Sequence, residues 1–240
     1  MILDEKYLAT PYRCAVYFVP DIRSSWWQAG SEWLGRCAAT GKSMTQPQLT
    51  GISSAEQWAR TSEPRRYGWH ATLKAPFKIR PSENLKSIMS GLQALADKLP
   101  AFELPTMQVR TDSGFIALRP KGDLTLINAT ADACVKELHS YAAPLSKADL
   151  DRRRQAPLTP KQDRLLVEWG YPYVFDEFNF HLSLTNKLDD MTGEECAAWV
   201  DAAQLHFSNL GACRFDRLAL FIEPIRGADF ELFDLVEMIK

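Results

Sequence analysis

Along this chain the apolar positions switch between a two-residue and a three-to-four-residue period, and the switches mark out its elements. The run RCAVYFVP (13–20) is continuously apolar, β-branched and aromatic and is closed by a proline, which predicts an internal strand. A helix is expected over SSWWQAGSEWLGRCAAT, with serine N-caps, apolar positions at Trp26, Trp27, Trp33, Leu34 and Cys37, and Gly41 ending it. The three tryptophans are expected to pack. GKSMTQPQLTGIS then reads as loop, being rich in Gly, Pro and Ser.

The clearest helical pattern is SENLKSIMSGLQALADKL, with Ser82 as cap, Glu83 in the first turn and Leu85, Ile88, Met89, Leu92, Leu95 and Leu99 at helical spacing. FELPTMQVRTDSGFIALRP predicts a hairpin around Asp112, Ser113 and Gly114, followed by a helix from about Leu124 to Tyr141. LTPKQDRLLVEWG predicts a short helix with Thr159 as cap, Pro160 at its first position and Gly170 just beyond its end. FNFHLSLTNKL is a strand and MTGEECAAWVDAAQLHF a helix. CRFDRLALFIEP and DFELFDLVEMI form a closing hairpin. Strands joined by hairpins favour an α+β fold over a doubly wound parallel sheet. No linker separates two domains, so residues 1–240 are expected to form one domain, and 142–160 is the expected exposed excursion.

Two strands carry the same pattern. In RYGWHATLKAPF (66–77), alternation places Tyr67, Trp69, Ala71 and Leu73 on one face and Arg66, Gly68, His70, Thr72 and Lys74 on the other. In FNFHLSLT, Phe178, Phe180, Leu182 and Leu184 oppose Asn179, His181, Ser183 and Thr185. Either copy alone fits an ordinary amphipathic strand. Chance would place H-x-[ST]-apolar at two of the four histidines on the order of a few per cent of the time. His139 and His206 fall outside the pattern, in expected helices.

The chemistry gives two such strands a reason to face one another. An imidazole near its ordinary pKa of about 6.5 can donate or accept a proton at neutral pH, and a pair can do both. Across a cleft, one histidine would deprotonate the attacking water or hydroxyl and the other would protonate the leaving oxygen of a phosphodiester. Thr72 and Ser183 would aim hydroxyls at the non-bridging oxygens, and Lys74 and Arg66 would add positive charge beside them.

Composition narrows the partners. The 240 residues carry 28 basic and 30 acidic side chains and a net charge of −2, which disfavours a long RNA footprint and leaves room for a small anionic substrate. MILDEKYLATPYR has acidic residues and no apolar core of a leader, and no window approaches the roughly 18 apolar residues of a membrane span. A cytoplasmic location without membrane contact is expected. The five cysteines are scattered and never spaced Cys-x-x-Cys, so neither a disulfide framework nor a structural zinc site is indicated. No carboxylate or third histidine accompanies either motif, where a catalytic zinc usually takes three protein ligands. No cofactor is implied.

The doubled tetrads His70-Ala71-Thr72-Leu73 and His181-Leu182-Ser183-Leu184, together with PRRYGWHATLKAPF, AAPLSKADLDRRR, WGYPYVF and FNFHLSLT, resemble the two-histidine (2H) phosphoesterase superfamily, in particular a bacterial branch associated with phosphonate-utilisation genes. The resemblance implies a bilobal α+β fold, two pseudo-symmetric, mainly antiparallel sheets around a central groove, each giving one motif. It implies metal-independent cleavage of a cyclic phosphodiester by His70 and His181, with Thr72 and Ser183 on the phosphate. Which histidine is acid and which is base stays open. An RNA end-processing 2′,3′-cyclic phosphodiesterase or 2′,5′ ligase, and a non-catalytic module that binds a phosphorylated ligand, are the competing readings.

Other residues carry two readings each. Arg152, Arg153 and Arg154 in DRRR fit a solvated helix end or a second phosphate contact. Arg65, beside Arg66, warns that one of that pair serves a surface carboxylate. Tyr171 and Tyr173 fit core packing or stacking on a base. Glu223 and Asp216 are candidates to orient an imidazole.

Overall fold

The computed structural model describes residues 10–112 and 114–239, so Ser113 and residues 1–9, where a leader segment was looked for, lie outside the described residues. Among the described residues, nine strands and eight α-helices follow one another in the order β1 (Arg13–Phe18), α1 (Ser25–Leu34), α2 (Ser54–Arg60), α3 (Ser62–Tyr67), β2 (Ala71–Phe77), α4 (Leu85–Ala96), β3 (Phe102–Glu103), β4 (Met107–Arg110), β5 (Phe115–Pro120), α5 (Thr125–Glu137), α6 (Lys147–Arg153), α7 (Pro160–Trp169), β6 (Leu182–Lys187), α8 (Gly193–Phe207), β7 (Arg214–Phe215), β8 (Arg217–Glu223) and β9 (Glu231–Glu237).

The strands form an α+β fold. A four-stranded sheet runs β2-β1-β8-β9, a three-stranded sheet β4-β5-β6, and β3 pairs with β7, all antiparallel. The two larger sheets correspond. β2 and β6 each follow a run of three helices, each pairs antiparallel with the strand before that run, and each is the edge of its sheet. The helices cross over, because α3 packs on β6 and α5 packs on β2. One apolar cluster takes residues from both sheets, and Phe18 of β1 meets Phe180 and Phe215 at ring-centroid distances of 5.5 and 4.6 Å.

Helix limits follow capping chemistry more closely than apolar spacing. α1 stops at Gly35, whose φ of 81° suits the left-handed cap, and not at Gly41. α4 starts after Asn84, where a capping box with Ser87 satisfies backbone donors on both sides, so Ser82 is not its cap. α7 begins with Thr159 as cap, as its sequence predicts. Two short helices, α3 and α6, fall where a strand and an exposed loop are expected. Tyr67 and Arg66 therefore belong to a helix, and β2 begins only at Ala71. The second motif strand, expected from Phe178, begins only at Leu182, after a 3₁₀ turn at 175–177.

An edge strand exposes a row of unpaired backbone groups. At β6 the first lobe supplies side-chain and backbone partners instead of another strand. Trp33 Nε1 donates to Leu184 O (2.9 Å), Asn186 Nδ2 donates to Ala59 O (3.0 Å) and Ser62 Oγ (2.9 Å), and the Glu63 N–H donates to Asn186 Oδ1 (2.8 Å). All five cysteines are free, with Cys14, Cys134 and Cys213 buried. Among the described residues no helix is long and apolar enough to cross a membrane. Asn186→Ala removes three hydrogen bonds between the lobes at a partly exposed position, and it is expected to lower unfolding free energy by about 1–3 kcal/mol, read from the urea midpoint. An unchanged midpoint would show that this tie is dispensable.

Candidate functional site

Both motif histidines sit one residue before their strands, and the same local device orients each. The carbonyl two residues upstream receives the Nδ1 proton: Gly68 O at 2.8 Å for His70 and Asn179 O at 2.7 Å for His181. This geometry assigns the proton to Nδ1 and leaves Nε2 as the acceptor. Gly68 is needed for it. At φ 79° and ψ 179° its backbone lies in a region essentially reserved for glycine, and a Cβ there would stand 2.5 Å from the Ala38 Cβ.

The two imidazoles line one groove of about 570 Å³ between the edge strands, with Thr72, Ser183, Thr185, Arg13, Tyr17 and Tyr67 among its walls. A contiguous space of about 590 Å³ shares Thr72, Phe115, Tyr171, His181 and Lys187 and extends to Tyr173. A cleft of about 1090 Å³ lies elsewhere, between the β3–β4 segment and α8, but its lining brings no histidine. Chemistry rather than size therefore selects the groove. In it Thr72 Oγ1 lies 3.3 Å from His70 Nε2. The Tyr17 ring lies 3.9 Å from that of His70 between centroids, and the Phe115 ring 5.2 Å from that of His181.

Burial pushes the pKa of His70 down to about 4, against the raising effect of the Gly68 hydrogen bond and with a smaller contribution from His181. Burial also lowers His181, with Asn179 opposing and Arg119 adding to the fall. Both rings are thus predominantly neutral at pH 7, each able to accept a proton. An arriving phosphate anion favours imidazolium and supplies the donor form.

Lys74 departs from the expected face. Tyr17 pairs with Thr72 while Val16, the very next residue of β1, pairs with Lys74, so Leu73 is an extra residue in a β-bulge. The bulge turns Lys74 to the opposite face from Thr72. Only 4% exposed, its ammonium donates to Val135 O (3.3 Å) of α5 in a separate cavity of about 330 Å³ that also holds His139. Burial lowers its pKa to about 8. Lys187 takes up the role of groove lysine in the second lobe: β6 also has an irregularity, but its paired residues Ser183 and Lys187 keep one parity.

Arg66 and Glu223 are likewise reassigned. Fully buried Glu223 accepts from Arg66 Nη2 (2.5 Å) and the Gly227 N–H (2.7 Å) on one oxygen and from Arg13 Nε (2.5 Å) on the other. It therefore anchors two arginines and orients no imidazole, and Arg66, which also donates to Ala228 O, is a buttress behind the groove. Asp216 pairs with Arg214 and Arg217. Arg65 lies over the Trp58 ring, 3.5 Å from its centroid.

The DRRR run separates into three fates. Arg152 lines the groove but is paired with Asp149, Arg153 lines it with its guanidinium 5.5 Å from the Tyr171 ring centroid, and Arg154 pairs with Asp163. Sequence reasoning missed Arg13, Tyr17 and Lys187. The first two were legible, since Arg13 and Tyr17 are polar groups of equal parity inside an apolar strand.

The architecture is thus an α+β groove protein with two identically held imidazoles, each followed two residues on by a hydroxyl. The family described as "Protein of unknown function (DUF1045)" matches residues 72–231, and the chain belongs to it. Two proteins named "Ribose 1,5-bisphosphate phosphokinase PhnN" are 36% identical to it. The one from Janthinobacterium sp. (strain Marseille) aligns over 91% of this chain and 49% of its own length, and the one from Laribacter hongkongensis (strain HLHK9) over 95% and 52%. The chain spans about half the length of these curated relatives. A solved structure described as "Crystal structure of phosphoesterase" covers 96% of this chain and 100% of its own, at a TM-score of 0.41 and 11% identity, too low a likeness to bear on fold or function.

Two outcomes follow from the buried imidazole. Because the folded state holds the His70 proton less tightly than the unfolded chain, its neutral form favours folding above pH 6.5, and that contribution is lost as pH falls from 6.5 to about 4. His70→Asn is expected to flatten the stability curve in that window, as followed by urea melts at stepped pH. Gly68→Ala is expected to destabilise the fold by roughly 1–3 kcal/mol and to shift the His70 ring resonances in NMR spectra. Unchanged spectra would separate Gly68 from the orientation of His70.

Proposed function

We propose that this chain is a metal-independent phosphodiesterase that opens the cyclic phosphodiester of a small ribose phosphate or nucleotide. The observation that carries the reading is the matched pair of imidazoles, each with its Nδ1 proton given to a carbonyl and its Nε2 left to the groove. The 2H-like motif pattern supports the same class.

The step balances without a covalent intermediate. One neutral imidazole takes a proton from water through Nε2 as the water oxygen bonds to phosphorus. The P–O bond to the sugar breaks, and the other imidazole, protonated, gives its proton to the departing oxygen. Thr72 and Ser183 donate to the non-bridging oxygens, and Arg13 and Lys187 add positive potential. The two imidazoles end with their proton states exchanged, and solvent restores them. Among the described residues no three His, Cys, Asp or Glu side chains gather to hold a metal ion.

A role in phosphonate utilisation is consistent with the resemblance to that branch, and the curated relatives' name concerns a ribose phosphate, the same class of compound. The phosphokinase in that name is not the reading proposed for this half. Gly35 and Gly41-Lys42-Ser43 miss the phosphate-binding spacing G-x-x-x-x-G-K-[ST] by one residue. The triplet also lies in a turn where Gly41 N–H donates to Cys37 O, and the next helix starts only at Ser54.

The test is a set of ribose cyclic phosphates assayed with and without EDTA. Turnover is expected to resist EDTA and to fall by about 10²–10⁴-fold in His70→Ala and in His181→Ala, the scale for losing a general acid or base. Binding without turnover in the wild type would favour the non-catalytic module. Abolition by EDTA would make it a metal enzyme.

A further inference from the structure

One end of the groove holds polar groups that the diesterase step leaves unused. Tyr17 is fully buried, and its hydroxyl has no hydrogen-bond partner although the residue lines the groove. A buried hydroxyl left unsatisfied is costly, and one kept beside a groove is within reach of an acceptor on a ligand. Arg153 adds a second case. Its Nε is buried without a partner, and its one hydrogen bond is a long one from Nη2 to Pro76 O (3.4 Å). Asp149 on the same helix is already held by Ser146, Lys78 and Arg152. Tyr171, under the Arg153 guanidinium, completes this end, with Arg13 beside it tied to Glu223.

These groups converge at a definite place relative to the imidazoles. The Tyr17 ring packs against His70, so its hydroxyl lies within the length of one phenol of that imidazole. The hydroxyl and the guanidinium both serve an anion with several acceptor oxygens, and a planar guanidinium suits a phosphate bidentately.

We propose that this end of the groove is a second phosphate subsite, where Arg153 and the Tyr17 hydroxyl hold a terminal phosphomonoester of the same small molecule whose cyclic diester lies between His70 and His181. For its substrate class the proposal rests on the diesterase reading; as a monoester-binding site it stands on Arg153 and Tyr17. The substrate is then a cyclic diester carrying a further phosphate, and a cyclic phosphate without one is a poor substrate.

Two measurements separate the subsite from the chemistry. In calorimetry with ribose 5-phosphate as the probe, Arg153→Gln is expected to weaken binding about 10- to 100-fold, the scale of a lost charge-assisted hydrogen bond. Tyr17→Phe, which keeps the ring packing, is expected to weaken it several-fold, and Arg154→Gln, whose ion pair points away from the groove, to leave it unchanged. In kinetics, the wild type should prefer the 5′-phosphorylated form of adenosine 2′,3′-cyclic phosphate over the form without that phosphate, and Arg153→Gln should bring the ratio of kcat/KM values towards one, mainly through KM. Equal turnover of the two by the wild type, with binding of the probe intact in Arg153→Gln, overturns the subsite and leaves the diesterase standing. Binding that depends on Arg153 with turnover of neither compound keeps the subsite and overturns the diesterase. Binding lost in His181→Ala but not in Arg153→Gln puts the monoester at the imidazoles and overturns the proposal.

Discussion

The groove exists because two edge strands that could pair are kept from doing so. β2 and β6 both end their sheets, and an unpaired strand edge invites another strand. On β6 the Leu184 carbonyl accepts from Trp33 of the first lobe, and the Asn186 side chain ties the strand to Ala59 and Ser62. α3, which supplies some of these contacts, is also the helix whose end at Gly68 aims the carbonyl that fixes His70. This six-residue helix therefore both shares in tying the lobes together and orients the first imidazole.

The electrostatics of the groove follow from the same placement. Histidines at strand entrances, below the surface of a cleft, lose hydration and become weak bases, with His70 displaced furthest. Arg119 reinforces this at His181, and fully buried Glu223 is spent on Arg13 and Arg66 rather than on either ring. An anion entering the groove would raise the pKa of both imidazoles by charge attraction.

Much of this was legible along the chain, and the misses have local causes. Strands of continuous apolar character, such as β1 and β8, and helices with strong caps, such as α7 and α8, stand where their patterns place them. α3 is too short to display a helical period, and its Pro64 lies in the first turn, where a missing N–H costs nothing. α6 hides in a stretch of proline and charge because its support is a Ser146 cap and the ion pair of Arg152 with Asp149. The histidines and hydroxyls were found from their doubled spacing. Arg66 and Lys74 were assigned by alternation alone, and alternation fails where a helix replaces a strand or a bulge interrupts one.

The bulge at Leu73 works like a shift of reading frame. Upstream of it, position number translates directly into groove or cavity. One residue later the translation is inverted, so that Lys74 speaks to α5 while Thr72 speaks to the groove. Strict alternation along this strand places residues correctly as far as the hydroxyl of the first motif, and beyond it assigns them to the wrong side of the sheet unless the extra residue is counted.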